Sequence, residues 1–265
     1  MQVRELWRYP VKSCQGEMLQ AMGVTPYGPF NDREFMVVDE GGNFLTQRQH
    51  PVLALVKVQI TSAYLAVSTE GLGKVLVDLT TRFYHTRQVR VWDDICTGFE
   101  CSPEADKFFS TLLGKKCYLV RQVQSNPRVR RPSALDHDIR VSFADGYHFL
   151  VISTGSLEAL RSCLPADVPN LQKRFRPNLI IEATAGIEGC SRTLQIGRQV
   201  RLRQVKPCSR CGIPDINPET GERDNAVGPT LHDHWSDNEG TTYFGNNYIV
   251  ERGGVIRPND EVTAT

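Results

Sequence analysis

The fold class is decided by the stretch Phe35-Met36-Val37-Val38-Asp39-Glu40-Gly41-Gly42-Asn43-Phe44-Leu45-Thr46. An apolar run, a glycine-rich turn and a second apolar run follow one another, and this order predicts a strand, a turn and a second strand. Outward from this stretch, further short runs predict strands at Leu53–Ile60, Tyr64–Ser68, Lys74–Leu79, Gln88–Trp92 and Cys117–Arg121. Several short strands at close spacing are typical of a β-barrel or a β-sandwich.

One helix is well marked in the first half. Ser102 can cap it, Pro103 suits its first position and Gly114 can end it. The second half predicts a helix at Ser156–Cys163, strands at Tyr147–Ile152, Asn178–Glu182 and Gln199–Val205, and a closing hairpin of Tyr248–Glu251 and Val255–Val262. The chain is therefore predicted to be mainly β, with a few helices in an α+β arrangement.

A change of composition divides the chain. Residues 122–140 are polar, basic and interrupted by prolines, as connections between domains often are. We therefore predict two domains, at residues 1–122 and 123–265. A second polar stretch, Pro214–Gly240, is predicted to be a long loop, and loops of this length are usually functional or mobile.

The bulk composition excludes several classes of protein. The chain has 265 residues, 40% of them hydrophobic and 23% charged, with a net charge of +1. This balance does not support a broad nucleic-acid-binding surface. The charged N-terminus does not resemble a secretion signal, and no stretch is long and apolar enough to span a membrane. A cytoplasmic location is the resulting expectation.

Eight cysteines are present, and in a cytoplasmic chain they are expected to be thiols. Cys208 and Cys211 form a Cys-x-x-Cys pair, for which two core cysteines are an equally good interpretation. Zinc binding would need a second ligand pair, and His232 and His234 lack the usual spacing. A thioredoxin-like redox pair would need a βαβ context that is not predicted here. The remaining hypothesis is one thiolate favoured by the adjacent cation of Arg210 and suited to a soft metal.

Basic residues beside hydroxyl groups predict a phosphate site. Lys12 and Ser13 follow the first strand, Arg33 precedes the strand at residue 35, and Arg176 precedes another. Any one of these cations taken alone is more often an ordinary surface charge. Asp145, beside a glycine turn, could be a proton donor if burial raises its pKa, or could merely shape the turn.

Together these motifs resemble the MOSC family, and within it the amidoxime-reducing components and their bacterial counterparts. The matching pieces are Tyr9-Pro10-Val11-Lys12-Ser13, Asn31-Asp32-Arg33, Asp145, Phe175-Arg176-Pro177-Asn178, Cys208-Ser209-Arg210-Cys211, Asn217-Pro218-Glu219-Thr220-Gly221, Phe244-Gly245 and residues 254–262. The resemblance implies a β-barrel-like N-terminal domain followed by a MOSC β-barrel domain, with a molybdenum–molybdopterin cofactor between them.

The resemblance also implies a role for each site residue. Lys12, Ser13 and Arg33 would hold the phosphate of the pterin, Arg176 and Asn178 would contact the pterin with Arg210 nearby, Cys211 would bind molybdenum, and Asp145 would lie beside the metal. Cys208 is not the expected ligand. The chain departs from the family at Pro214 and Asp215, where relatives usually carry a pair of threonines, so the wall of the substrate pocket is expected to differ.

The implied function is molybdenum-dependent reduction of N-hydroxylated compounds such as amidoximes, hydroxylamines and N-hydroxylated bases. Electrons would come from a separate ferredoxin, flavoprotein or cytochrome. The family also carries a description as pyridoxal-phosphate binding. A carrier of molybdenum cofactor or of sulfur, with a persulfide on Cys211, is the alternative, and a barrel that binds another anion is a third possibility.

Overall fold

The structure of the protein is a computed structural model that describes residues 1–80, 85–122 and 127–264. Strands form most of its regular structure. The strands of the first half are β1 (Gln2–Arg8), β2 (Glu17–Met18), β3 (Met22–Thr25), β4 (Gly28–Pro29), β5 (Phe35–Asp39), β6 (Lys57–Ile60), β7 (Tyr64–Thr69), β8 (Gly73–Asp78), β9 (Thr86–Val91), β10 (Asp94–Glu100) and β11 (Cys117–Gln122). Those of the second half are β12 (Arg128–Arg130), β13 (Ile139–Val141), β14 (Phe149–Ser153), β15 (Leu179–Glu182), β16 (Thr193–Ile196), β17 (Val200–Ser209), β18 (Tyr243–Arg252), β19 (Gly254–Ile256) and β20 (Val262–Ala264). The helices are α1 (Pro103–Leu113), α2 (Thr154–Cys163), α3 (Leu171–Phe175), α4 (Ile187–Cys190) and α5 (Gly228–Trp235), with a 3-10 helix at Pro51–Leu55. The predicted mainly β class is confirmed.

The largest sheet joins the two ends of the chain. Its eight strands run in the order β2-β1-β15-β14-β18-β17-β16-β20. Strand β1 pairs antiparallel with β15, and β3 pairs with β19 in a smaller sheet. The first strands of the chain are therefore hydrogen-bonded to strands of the second half. The division into domains 1–122 and 123–265 stays a prediction, and residues 123–126 at that boundary lie outside the described residues.

The other large sheets lie in the first half. One has the order β5-β11-β10-β9 and another the order β6-β7-β8, and helix α1 packs against β11 and β8. The predicted ends of α1 are confirmed: the Ser102 side chain accepts a hydrogen bond from the backbone N–H of Ala105, and Gly114 ends the helix with a left-handed φ of 64°. The fully buried ring of Phe109 joins α1 to the core. Burial of apolar side chains thus holds α1 against the strands of the first half.

Several predicted elements are wrong in detail. The run Phe44–Thr46 is not a strand; Phe44 forms an isolated bridge with Val38. The predicted strand Leu53–Ile60 begins as the 3-10 helix, which Pro51 favours by its fixed φ, and becomes a strand only at Lys57. The stretch 122–140 includes β12, which pairs with β13, and its role as a connection between domains stays a prediction. The predicted loop Pro214–Gly240 contains α5.

The predicted closing hairpin is also wrong. Strand β19 follows β18 but pairs with β3, and β20 pairs with β16. Both partners are remote in sequence, so the local pattern of residues could not identify them.

The Ser153 hydroxyl accepts a hydrogen bond from the backbone N–H of Ser156, so Ser153 caps the start of α2. In the part of the chain that the structure describes, no helix is both long and apolar enough to cross a membrane.

Candidate functional site

The predicted site residues meet in one cavity of about 480 Å³. They come from five places: the segment between β1 and β2, the turn before β5, the segment between β13 and β14, the residues between α3 and β15, and the end of β17. All eight predicted residues line the cavity: Lys12, Ser13, Arg33, Asp145, Arg176, Asn178, Arg210 and Cys211. Residues far apart in sequence are thus brought together, while the individual roles assigned to them stay predictions.

The cavity is strongly basic. Among the described residues, its lining includes two acidic side chains, Asp93 and Asp145, and seven basic ones: Lys12, Arg33, Arg48, Arg130, Arg176, Lys206 and Arg210. This excess of positive charge favours an anionic ligand. Sequence reasoning missed Arg48, Arg130 and Trp92, because they enter the cavity from segments that carry no recognisable motif.

Lys12 and Asp145 form a short ion pair at the cavity. The Lys12 Nζ atom lies 2.6 Å from Asp145 Oδ1 and also donates to the carbonyl oxygen of Phe143 at 2.9 Å. Burial lowers the pKa of Lys12, and the Asp145 carboxylate opposes that effect.

The Asp145 carboxyl group is exposed on the cavity side, and its pKa is lowered. Desolvation acts to raise this pKa, but the charge of Lys12 and the hydrogen bonds from Lys12 and the Trp92 indole outweigh that effect. The condition under which Asp145 was expected to be a proton donor, a net raised pKa, is therefore not met. At neutral pH this group is a carboxylate, so any proton that it handles must first be accepted.

Two arginines enclose Tyr9 beside the cavity. The guanidinium carbons of Arg33 and Arg176 each lie 4.3 Å from the centroid of the Tyr9 ring. Arg33 donates to both carboxylate oxygens of Asp32, at 2.8 and 2.6 Å, and to the carbonyl oxygen of Arg176 at 3.0 Å. Both arginines have left-handed backbones, with φ of 48° and 58°. Such conformations are uncommon outside glycine and often mark functional sites.

Arg176 is held in an environment that disfavours its charge. Burial and the nearby charge of Arg33 lower the pKa of Arg176 to about 10. Its Nη1 atom donates to the carbonyl oxygen of Cys14 at 2.6 Å, whereas buried Nη2 has no hydrogen-bond partner within the described ranges. An unpaired buried donor is costly. A bound acceptor or anion would relieve both the unpaired donor and the charge repulsion.

Ser13 and Asn178 are buried and contribute differently. Ser13 has a left-handed φ of 69°, and its carbonyl oxygen accepts a hydrogen bond from the Gln47 side chain at 2.6 Å. The Asn178 amide donates to the carbonyl oxygen of Trp7 and accepts from the N–H of Leu150, each at 3.3 Å. Asn178 therefore links the ends of β1 and β14, and its predicted contact with the pterin stays a prediction.

The two cysteines of the Cys-x-x-Cys pair have different surroundings. Cys208 is half-buried, and its Sγ accepts a hydrogen bond from Arg210 Nη1 at 3.2 Å. Cys211 lies just beyond the end of β17 and is exposed on the cavity. Arg210 Nη2 donates to the carbonyl oxygen of Phe175, while its buried Nε lacks a partner among the residues described. The arrangement thus presents Cys211, not Cys208, as the accessible thiol.

Pro214 and Asp215, where the resemblance implies a pair of threonines, have structural contacts. Asp215 Oδ1 accepts hydrogen bonds from the N–H groups of Gly228 at 2.6 Å and Val227 at 3.3 Å. It therefore satisfies donors at the start of α5, as a cap does. The carbonyl oxygen of Pro214 accepts from Arg174, which also pairs with Asp224 at 2.6 Å. These contacts fold the segment that borders the cavity.

No cluster of metal-binding side chains accompanies the thiols in the described ranges. There, no group of three or more His, Cys, Asp or Glu residues could hold a metal ion. All eight cysteines are free, which agrees with the expectation of thiols.

Comparison with known proteins gives similarity over nearly the whole chain. The MOSC N-terminal beta barrel domain matches residues 1–116, and the MOSC domain matches residues 138–263. Mitochondrial amidoxime-reducing component 1 of Mus musculus is 30% identical over 98% of this chain and 81% of its own length. Mitochondrial amidoxime reducing component 2 of Bos taurus is 26% identical over 98% of this chain and 82% of its own length. Human molybdenum cofactor sulfurase is 27% identical over 85% of this chain, but over 28% of its own length.

Proposed function

This chain belongs to the MOSC family, with both the N-terminal barrel domain and the MOSC domain, and from that membership we propose that it is a molybdenum-cofactor-dependent reductase of N-hydroxylated compounds. The observation that carries the proposal is the cavity, which joins the exposed Cys211 thiol to seven basic side chains. The names of the relatives point the same way, since they refer to amidoxime reduction and to the molybdenum cofactor.

The lining of the cavity suits a cofactor with a phosphate and a heteroaromatic ring. Lys12, Ser13 and Arg33 would hold the phosphate by charge and by hydrogen bonds. Arg176, Asn178 and Arg210 would contact the pterin ring. The unpaired donors Arg176 Nη2 and Arg210 Nε support this assignment, because ring nitrogen and oxygen atoms are the acceptors that they lack.

Cys211 would bind the molybdenum of the cofactor through its thiolate, a soft ligand on the accessible side of the cavity. The bound cofactor would supply the two-electron chemistry that side chains lack. The overall reaction takes two electrons and two protons, breaks the N–O bond of the substrate, and releases an N–H compound and water.

Asp145 would handle one of these protons. Lys12 keeps the carboxylate ionised at neutral pH, so Asp145 would have to accept a proton at Oδ1 or Oδ2 before it could release one to the leaving oxygen. Lys12 would thereby set the charge of the acid–base group as well as contact the phosphate.

Further expectations belong to the same proposal. Electrons would come from a separate ferredoxin, flavoprotein or cytochrome, and the substrate would be a small N-hydroxylated molecule. A cytoplasmic location stays a prediction. Binding of pyridoxal phosphate, which has a phosphate that the same cations could hold, also stays a prediction.

The test uses molybdenum-loaded protein with a chemical reductant and benzamidoxime. We expect benzamidine to form, and Cys211→Ser to reduce the rate to background because serine is not a soft ligand. Cys163→Ser is the matched control, since Cys163 is also exposed but does not line the cavity. A fully metal-loaded wild-type protein that forms no benzamidine would refute the proposal.

A cofactor or sulfur carrier is the second candidate, and the exposure of Cys211 favours it specifically because a carrier thiol must be reached by a partner. Mass spectrometry of freshly purified protein separates the two functions. A sulfur adduct on Cys211 without turnover would indicate a carrier, whereas bound molybdenum and pterin with turnover would indicate the reductase.

A further inference from the structure

The turn between β9 and β10 places a tryptophan where a hairpin normally requires glycine. Val91 pairs with Asp94, so Trp92 and Asp93 form a two-residue turn. Trp92 has a left-handed φ of 58°. Two-residue hairpin turns favour glycine or asparagine at such positions, because a bulky side chain is strained there. The turn therefore retains Trp92 at a cost to local backbone stability.

The Trp92 ring is fixed at the mouth of the cavity. Its indole N–H donates to Asp145 Oδ1 at 3.1 Å, and its ring centroid lies 5.3 Å from that of Phe44. The guanidinium carbon of Arg48 lies 4.3 Å from the Trp92 ring centroid. Trp92 nevertheless exposes 40% of its surface and lines the cavity. These contacts hold an aromatic surface in one orientation beside the predicted acid–base group.

We propose that Trp92 determines substrate specificity by stacking with flat aromatic substrates at the mouth of the cavity. The inference rests on the proposed function and narrows its substrate class to N-hydroxylated groups attached to planar rings. Aromatic rings stack favourably through their faces and edges, whereas saturated rings lack this interaction and are too thick to lie flat. The hydrogen bond to Asp145 would keep the stacked ring close to the group that moves the proton.

A purely structural role explains the turn less well. Glycine at position 92 would relieve the backbone strain, and the hairpin pairing between Asp94 and Val91 would remain. The Trp92→Gly variant loses the contacts with Phe44, Arg48 and Asp145 but gains the relief of backbone strain, so we expect it to fold, and circular dichroism is recorded before its binding is measured. This expectation makes the variant a test of function and not of folding.

The experiment measures binding and turnover separately on molybdenum-loaded protein. Calorimetric titration of the oxidised protein without reductant compares benzamidoxime with cyclohexanecarboxamidoxime, which has the same number of carbon atoms but a saturated ring. We expect wild type to prefer benzamidoxime by about tenfold and Trp92→Gly to lose that preference. Trp92→Phe should keep it to within about threefold, because the aromatic ring remains. Tyr64→Ala, which removes an exposed aromatic residue outside the cavity, is the control and should match wild type.

The outcomes separate this inference from the proposed function. Equal binding of the two compounds by wild type, or an unchanged preference in Trp92→Gly, would overturn the inference even if the protein reduces both. Preferential binding that Trp92→Gly abolishes would uphold it even if no reduction follows when reductant is added. In that case the proposed reductase activity alone would fail.

Discussion

The Lys12–Asp145 pair should respond unequally to removal of its two partners. The Lys12 side chain is 7% exposed, whereas the Asp145 side chain is 66% exposed. Asp145→Ala would leave a buried ammonium group with the carbonyl oxygen of Phe143 as a hydrogen-bond acceptor and the Phe44 ring centroid 5.5 Å away. Lys12→Met would leave a carboxylate that water can reach. Both variants remove the same ion pair, but Asp145→Ala leaves an unpaired buried cation and Lys12→Met leaves an unpaired exposed carboxylate.

The expected magnitudes follow from this difference. Removing one partner of a buried ion pair costs about 3–5 kcal/mol, because an uncompensated charge stays buried. Solvent near Asp145 and the retained Phe143 contact reduce this, so we expect Asp145→Ala to lower the free energy of unfolding by about 2–3 kcal/mol. Lys12→Met replaces the stem with one of similar size and should cost less than about 1 kcal/mol, as for an exposed pair.

The assay is urea unfolding of the cofactor-free variants at several pH values. In Asp145→Ala the pKa of Lys12 stays below its unfolded value, so the unfolded state binds more protons and stability rises with pH. The deficit of Asp145→Ala relative to wild type should therefore shrink as the pH rises toward the unfolded pKa of lysine, and that of Lys12→Met should not. The unequal exposure of the two partners would be refuted as the cause if both variants lost the same free energy of unfolding, or if the loss in Asp145→Ala did not change with pH.

Three further predictions concern stability and are checked by urea unfolding. Asp215→Ala should cost about 1 kcal/mol by removing acceptors at the start of α5, and Ser102→Ala at α1 should cost a similar amount as a matched cap deletion. Phe109→Ala should cost about 3–5 kcal/mol because it leaves a cavity in a fully buried position. Asp106→Asn should stabilise the protein at pH 7, because burial raises the pKa of Asp106 to about 6 in the folded state. Because the folded pKa is raised, wild type loses stability as the pH rises through about 6, and the advantage of Asp106→Asn should vanish in acid. An Asp106→Asn variant that is no more stable than wild type at pH 7 would contradict the raised pKa.

Much of the strand content could be predicted because its signal is local. The run at residues 35–39 is buried at four successive positions and forms β5, as its apolar sequence indicates. The prediction of a closing hairpin is wrong because β19 pairs with β3, which lies more than 200 residues earlier in the chain. The alternation of apolar and polar residues in a strand does not specify its partner. The 3-10 helix at Pro51–Leu55 was missed because its apolar residues resemble a strand when read over a short window.

The candidate site was predictable where its residues lie in motifs and not where they only enter the cavity in three dimensions. Cys211 and Arg210 share one motif, and Lys12 and Ser13 another, so their joint presence could be inferred. The apolar pattern predicts Trp92 at the end of a strand, whereas the structure places it in a turn that lines the cavity. Its left-handed backbone is a property of the turn that an isolated Trp-Asp sequence does not reveal.

Among the described residues, two side chains proposed to contact the pterin ring have unpaired donors, whereas two proposed to hold the phosphate already donate to protein acceptors. Arg176 and Arg210 each retain a buried donor without a partner in the described chain. Arg33, by contrast, directs donors to the Asp32 carboxylate, and two of the three ammonium donors of Lys12 meet Asp145 and Phe143. A phosphate dianion must therefore compete with two carboxylates for these cations, whereas the ring meets donors that are costly to leave unpaired. In the proposed function, ring binding would supply part of the free energy that seats the phosphate, and Asp145 would remain near enough to Lys12 to stay ionised.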